Sequence, residues 1–126
     1  MKKGKIIIPA KCNPWPHERR VAQLLALNGK EVEFIPESNI KTPDIYIDRT
    51  MYEIKSPISN KVDAVERNLT RALSKSPNIV FDSFRMKVRD NQVLRELIKR
   101  KKAGKGIKKV LFINKKGKII DIDSLI

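Results

Sequence analysis

Residues 43–57 read PDIYIDRTMYEIKSP, and two short strands are the simplest account of them. Apolar and polar positions alternate, the period of a strand with one buried face. The spacing predicts a hairpin of Asp44–Asp48 and Met51–Ser56 turning at Arg49-Thr50. Side chains alternate along a strand, so Met51, Glu53 and Lys55 share one face while Tyr52 and Ile54 share the other. Asp44 stands at the mouth of the partner strand. Carboxylates and a lysine thus occupy a face that a small domain would be expected to fill with core.

An exposed ion pair between Glu53 and Lys55 would account for E-x-K by itself. The flanking residues say more. Pro43 fixes the backbone entering the strand at Asp44. Ser56-Pro57 ends the second strand directly after Lys55 and leaves its tip at a sheet edge or cleft. Upstream, Pro16 suits a first helical position and Asn28-Gly29 a left-handed end, which predicts a helix between them. Counting from Glu18, positions i+3, i+4 and i+7 are Val21, Ala22 and Leu25. Glu18 therefore continues the buried stripe, with Arg19 and Arg20 pointing outward.

A strand-like piece and a loop are expected within Met1–Trp15, and a strand at Val32–Ile35. Ser59 or Asn60 can cap a second helix, Lys61–Lys75, with Val62, Val65, Leu69, Ala72 and Leu73 inward. Ile79–Phe81 reads as a short strand. Asp90 can cap a third helix running to Ala103, with Val93, Leu94, Leu97 and Ile98 inward. Val110–Asn114 and Lys118–Ile122 close the chain as a hairpin turning at Lys116-Gly117. The order is αβββαβ followed by αββ, which predicts one α/β domain over residues 1–126, a mixed central sheet flanked by helices.

The chain has 126 residues and a formal net charge of +14. Such an excess works against a compact fold unless an anion commonly lies against it, and a phosphate backbone is the favoured partner. From Lys99 to Lys109 seven of eleven positions are basic and none is acidic. Cys12 stands alone, which excludes an intramolecular disulfide and a cysteine zinc site, and it has no evident base to activate it. The apolar run Ile6–Ile8 is too short for a signal peptide, and no apolar stretch reaches membrane-spanning length. A soluble protein of a reducing cytoplasm, with no membrane partner, is expected.

A carboxylate directed at a core is costly without a positive group to meet it. If the first helix packs across the first strands, Glu18, Asp44 and Glu53 converge. Three oxygen donors with open positions suit Mg²⁺ or Mn²⁺, and the Ile54 carbonyl could complete the set. Such an ion activates water for attack on a phosphodiester, with Lys55 beside it to orient that water or stabilise developing charge.

PD at 43–44 and EIK at 53–55, preceded by the glutamate of PHERR, resemble the PD-(D/E)xK nuclease superfamily. More closely, PHERRVAQLLALNGKEVEFIPE and TPDIYIDRTMYEIKSP are similar to the C-terminal tRNA-nuclease domains of contact-dependent growth inhibition toxins and related phage or mobile-element proteins. The resemblance implies a restriction-endonuclease-like αβββαβ core, to which the C-terminal helix and hairpin are added. It implies that Asp44 and Glu53 are the metal-binding acidic pair, Lys55 the catalytic lysine and Glu18 the helix glutamate. It implies a metal-dependent endonuclease acting on tRNA or another structured RNA, with an immunity or antitoxin partner. A DNA endonuclease of restriction, repair or junction-resolving type is the alternative, as is a non-catalytic nucleic-acid-binding module.

Further contacts to nucleic acid are expected from Asn68 and Arg71 on the second helix, with Arg67 as a competitor. Arg85 and Lys87 alternate in FRMKVR with Arg89 as a basic ridge, and Lys101, Lys102 and Lys105 lie in the basic run. His17 reads as an exposed neighbour of Glu18, Trp15 as a cover for one end of the core, and Tyr46 and Tyr52 as sheet residues.

Overall fold

The computed structural model describes residues 2–126. Seven strands form one mixed sheet in chain order: β1 Ile6–Ile7, β2 Val32–Phe34, β3 Ile45–Ile47, β4 Thr50–Lys55, β5 Asn78–Asp82, β6 Lys109–Ile113 and β7 Ile119–Asp121. Helices α1 (Pro16–Leu27), α2 (Ala64–Leu73) and α3 (Asp90–Ala103) connect them, and a short 3₁₀ turn, Ile122–Leu125, ends the chain. Strands β2, β3 and β4 run antiparallel; β4, β5 and β6 run parallel. The element order is the one the sequence predicts, and its boundaries shift by a few residues, as element ends commonly do.

The pleat sorts the core into two layers. Ile79, Phe81, Val110 and Phe112 point toward α2 and α3, which cover them with Val65, Leu69, Ala72, Val93 and Leu97. The alternate residues, Val80, Leu111 and Ile113, join Ile45, Ile47 and Ile54 beneath Val21, Ala22 and Leu25 of α1. One twelve-residue helix meets side chains from β2 through β6, so the sheet curls around it. Burial of these aliphatic stripes, at roughly 25 cal/mol per Å² of apolar surface, is the main stabilising term.

Three local expectations are corrected. The β3–β4 turn is made by Asp48 and Arg49, not Arg49-Thr50, and both have positive φ, 46° and 71°. The Asp48 carboxylate accepts the Glu31 amide at 2.9 Å and its own amide donates to the Glu31 carbonyl, anchoring that left-handed backbone. Helix α2 starts at Ala64 rather than Lys61, and Ser59 Oγ instead accepts from the Lys61 amide in the preceding turn. Asp90 is the first residue of α3 rather than its cap. Its carboxylate accepts from Ser83 Oγ and the Lys115 amide, tying the helix start to the β6–β7 turn.

The curl around α1 makes a direct prediction. Leu25 is fully buried and Leu27, two residues on, is 53% exposed. Leu25→Ala should cost about 2–5 kcal/mol in urea unfolding, and Leu27→Ala less than about 0.5 kcal/mol. Equal losses would mean that α1 does not seat on the sheet as described.

Candidate active site

Register fixes which side chains meet. Glu53 lies beside Ile79 and Lys55 beside Phe81, so both point to the α2 side of the sheet. Strand β3 begins only at Ile45, opposite Tyr52, and the two strands part beyond that pair. Asp44 sits at this fork. Its amide donates to the Tyr52 carbonyl at 3.2 Å, and its Oδ2 accepts the Ile54 amide at 2.8 Å. A carboxylate thus replaces the missing strand partner of β4, which is why an aspartate directly before the strand is so well held. In an extended strand a residue's N–H and C=O lie along the same edge, so the Ile54 carbonyl borders the same fork.

Glu53 is 2% exposed. Its Oε2 lies 3.7 Å from Lys55 Nζ and 3.7 Å from Lys75 Nζ. Its Oε1 is buried with no hydrogen-bond partner. Burial first, and then the adjacent Asp44 carboxylate, push the Glu53 carboxyl from its ordinary 4.5 up to about 7, against the pull of Lys75 and Lys55. A buried acceptor left unpaired beside a second carboxylate is costly, and a proton or a cation between the two relieves the cost.

Glu18 stands on the rim. It is half-buried at the N-terminal end of the α1 stripe and lines, with Asp44, Glu37, Asn13 and Cys12, an open cleft of about 280 Å³. Its Oε1 accepts the Trp15 amide at 2.9 Å, which closes the first turn of the helix. Among the described residues no cluster of three or more His, Cys, Asp or Glu stands ready to hold a metal ion. What the fold brings together is a pair, Asp44 and Glu53, with Lys55 against it and Glu18 across the cleft. Burial pushes the Cys12 thiol up, away from a nucleophile's range.

Lys75 is the site residue that sequence reasoning passed over. It lies just past α2, where the Ser76 amide still donates to the Ala72 carbonyl, so the helical turn carries on to it. Positions 68, 71 and 75 are spaced three and four apart, hence Asn68, Arg71 and Lys75 follow one ridge of the helix. The Asn68 amide group donates to the Ala64 carbonyl at 2.7 Å, and Arg71 is exposed.

The other basic residues divide. Arg85 donates through both Nε and a terminal nitrogen to the Ser56 carbonyl, pinning the loop after β5 to the end of β4. Lys87 and Arg89 are exposed, alternating with buried Met86 and Val88. Lys101 and Lys102 lie in the last turn of α3 and Lys105 just past it, and this stretch leads into the start of β6, at the far end of the parallel strands from Ser56. Lys101 is paired with Asp123 at 3.2 Å, and Arg100 with Glu66 and Glu96. Two further readings are corrected, an outward Arg20 and a core-covering Trp15. Arg20 turns back to Asp82, at 3.3 Å, because that buried carboxylate needs a cation. Trp15 is 69% exposed rather than a lid on the core, since its backbone serves the helix start.

The sequence pattern of the contact-dependent growth inhibition CdiA C-terminal domain matches residues 41–119, a span that takes in Asp44, Glu53, Lys55 and Lys75. The chain belongs to the CdiA C-terminal domain family. Among solved structures, the CdiA-CT/CdiI toxin and immunity complex from Burkholderia pseudomallei contains a chain 20% identical to this one. The match has a TM-score of 0.74 and covers 94% of this chain and 98% of that one, so the CdiA C-terminal fold extends over nearly the whole domain. No curated protein sequence matches.

The position of Glu53 sets a pH dependence. Its raised pKa means that the folded state holds this proton more tightly than the unfolded chain. The resulting stability is fully present below about pH 4.5 and is lost as pH rises through about 7. In chelator, Glu53→Gln should therefore gain stability over the parent between pH 5 and 8, by on the order of 1–3 kcal/mol. Urea unfolding at both pH values measures it; a constant difference would contradict the buried pair.

Proposed function

We propose that this CdiA C-terminal domain is a toxin of the PD-(D/E)xK nuclease type, hydrolysing phosphodiester bonds of tRNA or another structured RNA with a divalent cation. The observation that carries the reading is buried Glu53, one oxygen of which has no partner, set against half-buried Asp44 and flanked by Lys55. Two carboxylates at this burial, bordered by the Ile54 carbonyl, make an all-oxygen donor set, and hard ions that keep some of their waters suit it: Mg²⁺ or Mn²⁺. Asp44, Glu53 and Ile54 would hold the ion, and Glu18, across the cleft, is placed to accept from a water at its edge. When bound, such an ion lowers the pKa of a water and offsets charge on the phosphate.

The chain's own residues do the rest. Lys55 is half-buried with its ammonium 3.7 Å from Glu53, where it can orient attacking water and stabilise the charge that grows on the phosphoryl oxygens. Lys75, held by the same carboxylate oxygen, adds a second ammonium for the polyanion. Asn68 and Arg71 extend that ridge, and Arg85 and Lys87 border the strand end. The net charge of +14 supplies affinity that falls with salt. The similar chain was solved as part of a toxin and immunity complex, which supports an immunity protein as the partner here too. An acidic surface on that partner would meet both the charge and the site.

Purified protein incubated with total tRNA, or with plasmid DNA, in Mg²⁺ or in chelator tests the reading. Cleavage of RNA in Mg²⁺ only is expected. Glu53→Ala and Lys55→Ala should each slow it at least a hundredfold, and Lys75→Ala about tenfold or more, with binding retained. Undiminished cleavage by Glu53→Ala, or cleavage in chelator, contradicts the assignment.

A further inference from the structure

A second cluster lies at the ends of β4 and β5, on the sheet face opposite Glu53 and Lys55. Asp82 closes β5 and is fully buried. It holds three groups: its Oδ2 accepts Ser56 Oγ at 3.0 Å, and its Oδ1 accepts the Phe84 amide at 3.1 Å and Arg20 at 3.3 Å. Ser56 directly follows Lys55, and Asp82 directly follows Phe81, the register partner of Lys55. The guanidinium carbon of Arg20 lies 3.9 Å from the centroid of the Phe84 ring, a close cation–π stack. Phe84 is 52% exposed, although a large apolar side chain gains nothing from water there.

A buried carboxylate that fixes both the backbone of an exposed aromatic and the cation stacked on it makes a rigid platform. Its two halves match the two halves of a nucleotide. An aromatic face takes a base by stacking whatever the base's identity, and a guanidinium with free donors takes phosphate. The side chain of Arg20 keeps 26% of its surface exposed, so donors remain available beyond the bond to Asp82. Ser56 and Asp82 follow Lys55 and its register partner Phe81, so the platform and the carboxylate pair share one end of the sheet, the platform on the α1 face and Glu53 and Lys55 on the α2 face. Building on the nuclease reading of that pair, we propose that Phe84 and Arg20 form a nucleotide subsite that stacks one unpaired base of the substrate near the bond to be cut. The domain would thereby prefer single-stranded loops and ends over duplex, whose bases are already stacked.

The test measures binding in chelator, so it does not depend on cleavage. Fluorescence anisotropy is recorded with a short labelled single-stranded RNA and with a duplex of the same sequence. Phe84→Leu keeps apolar bulk and removes the ring. It should weaken single-strand binding roughly tenfold to a hundredfold and leave duplex binding within about twofold. Trp15 is the only tryptophan, so a W15F, F84W double variant reports directly: its emission should be quenched by the single strand and not by the duplex. Unchanged affinity in Phe84→Leu, equal loss for both RNAs, or unquenched emission overturns the subsite and assigns the exposed ring to a protein contact. A ring-dependent preference for single strands, in a protein that cleaves nothing with Mg²⁺, would keep the subsite and remove the nuclease reading.

Discussion

A buried carboxylate, Glu53, set against a half-buried one, Asp44, organises this domain. Asp44 and Glu53 meet because β3 and β4 separate one residue past their last pair, and the aspartate fills the vacated position by accepting the Ile54 amide. Burial of Glu53 first, and then the neighbouring Asp44 charge, raise its carboxyl to about 7, so the arrangement carries a standing cost. Lys55 and Lys75 offset part of it, each at 3.7 Å. They leave Glu53 Oε1 without a partner. A fold that retains such a pair gives up stability there, and strained or unpaired groups of this kind concentrate at working sites.

The rest of the architecture keeps that pair in place. Helix α1, wrapped by the sheet through Val21, Ala22 and Leu25, carries Glu18 to the cleft and Arg20 to Asp82. Helix α2 runs along the other face and delivers Lys75. The parallel strands β4 and β5 end side by side, so that the hydroxyl of Ser56 and the guanidinium of Arg85 lock the loop after β5 to the strand that carries Glu53 and Lys55. Sites at the carboxyl ends of parallel strands follow from this geometry, because the strands stop while the connecting loops fan out.

Much of this was legible in the residues. The period of two through MYEIK separates Glu53 and Lys55 from Tyr52 and Ile54, and the helical spacing of Glu18, Val21, Ala22 and Leu25 points that carboxylate inward. Both patterns are local. Lys75 was hidden because it follows the breaking of a helix, where side-chain direction depends on how the last turn ends. The Asp82–Arg20–Phe84 cluster was hidden because it joins residues 62 positions apart, and nothing local marks the aspartate of FDSF as buried. The basic run at Lys99–Lys109 was visible as charge; its place at the far strand end, and the pairing of Lys101 with Asp123, came from topology. The β3–β4 turn moved by one residue because the Asp48 carboxylate binds the Glu31 amide, a contact from outside the hairpin.

The claim on which all of this turns is that Asp44 and Glu53 are paired in order to hold a divalent cation. Crystals soaked in Mn²⁺ and measured at a wavelength where manganese scatters anomalously test it most directly. A single strong anomalous peak within about 2.5 Å of both carboxylates and of the Ile54 carbonyl, absent from crystals of Asp44→Asn, is the predicted result. An empty fork at saturating Mn²⁺ would contradict it.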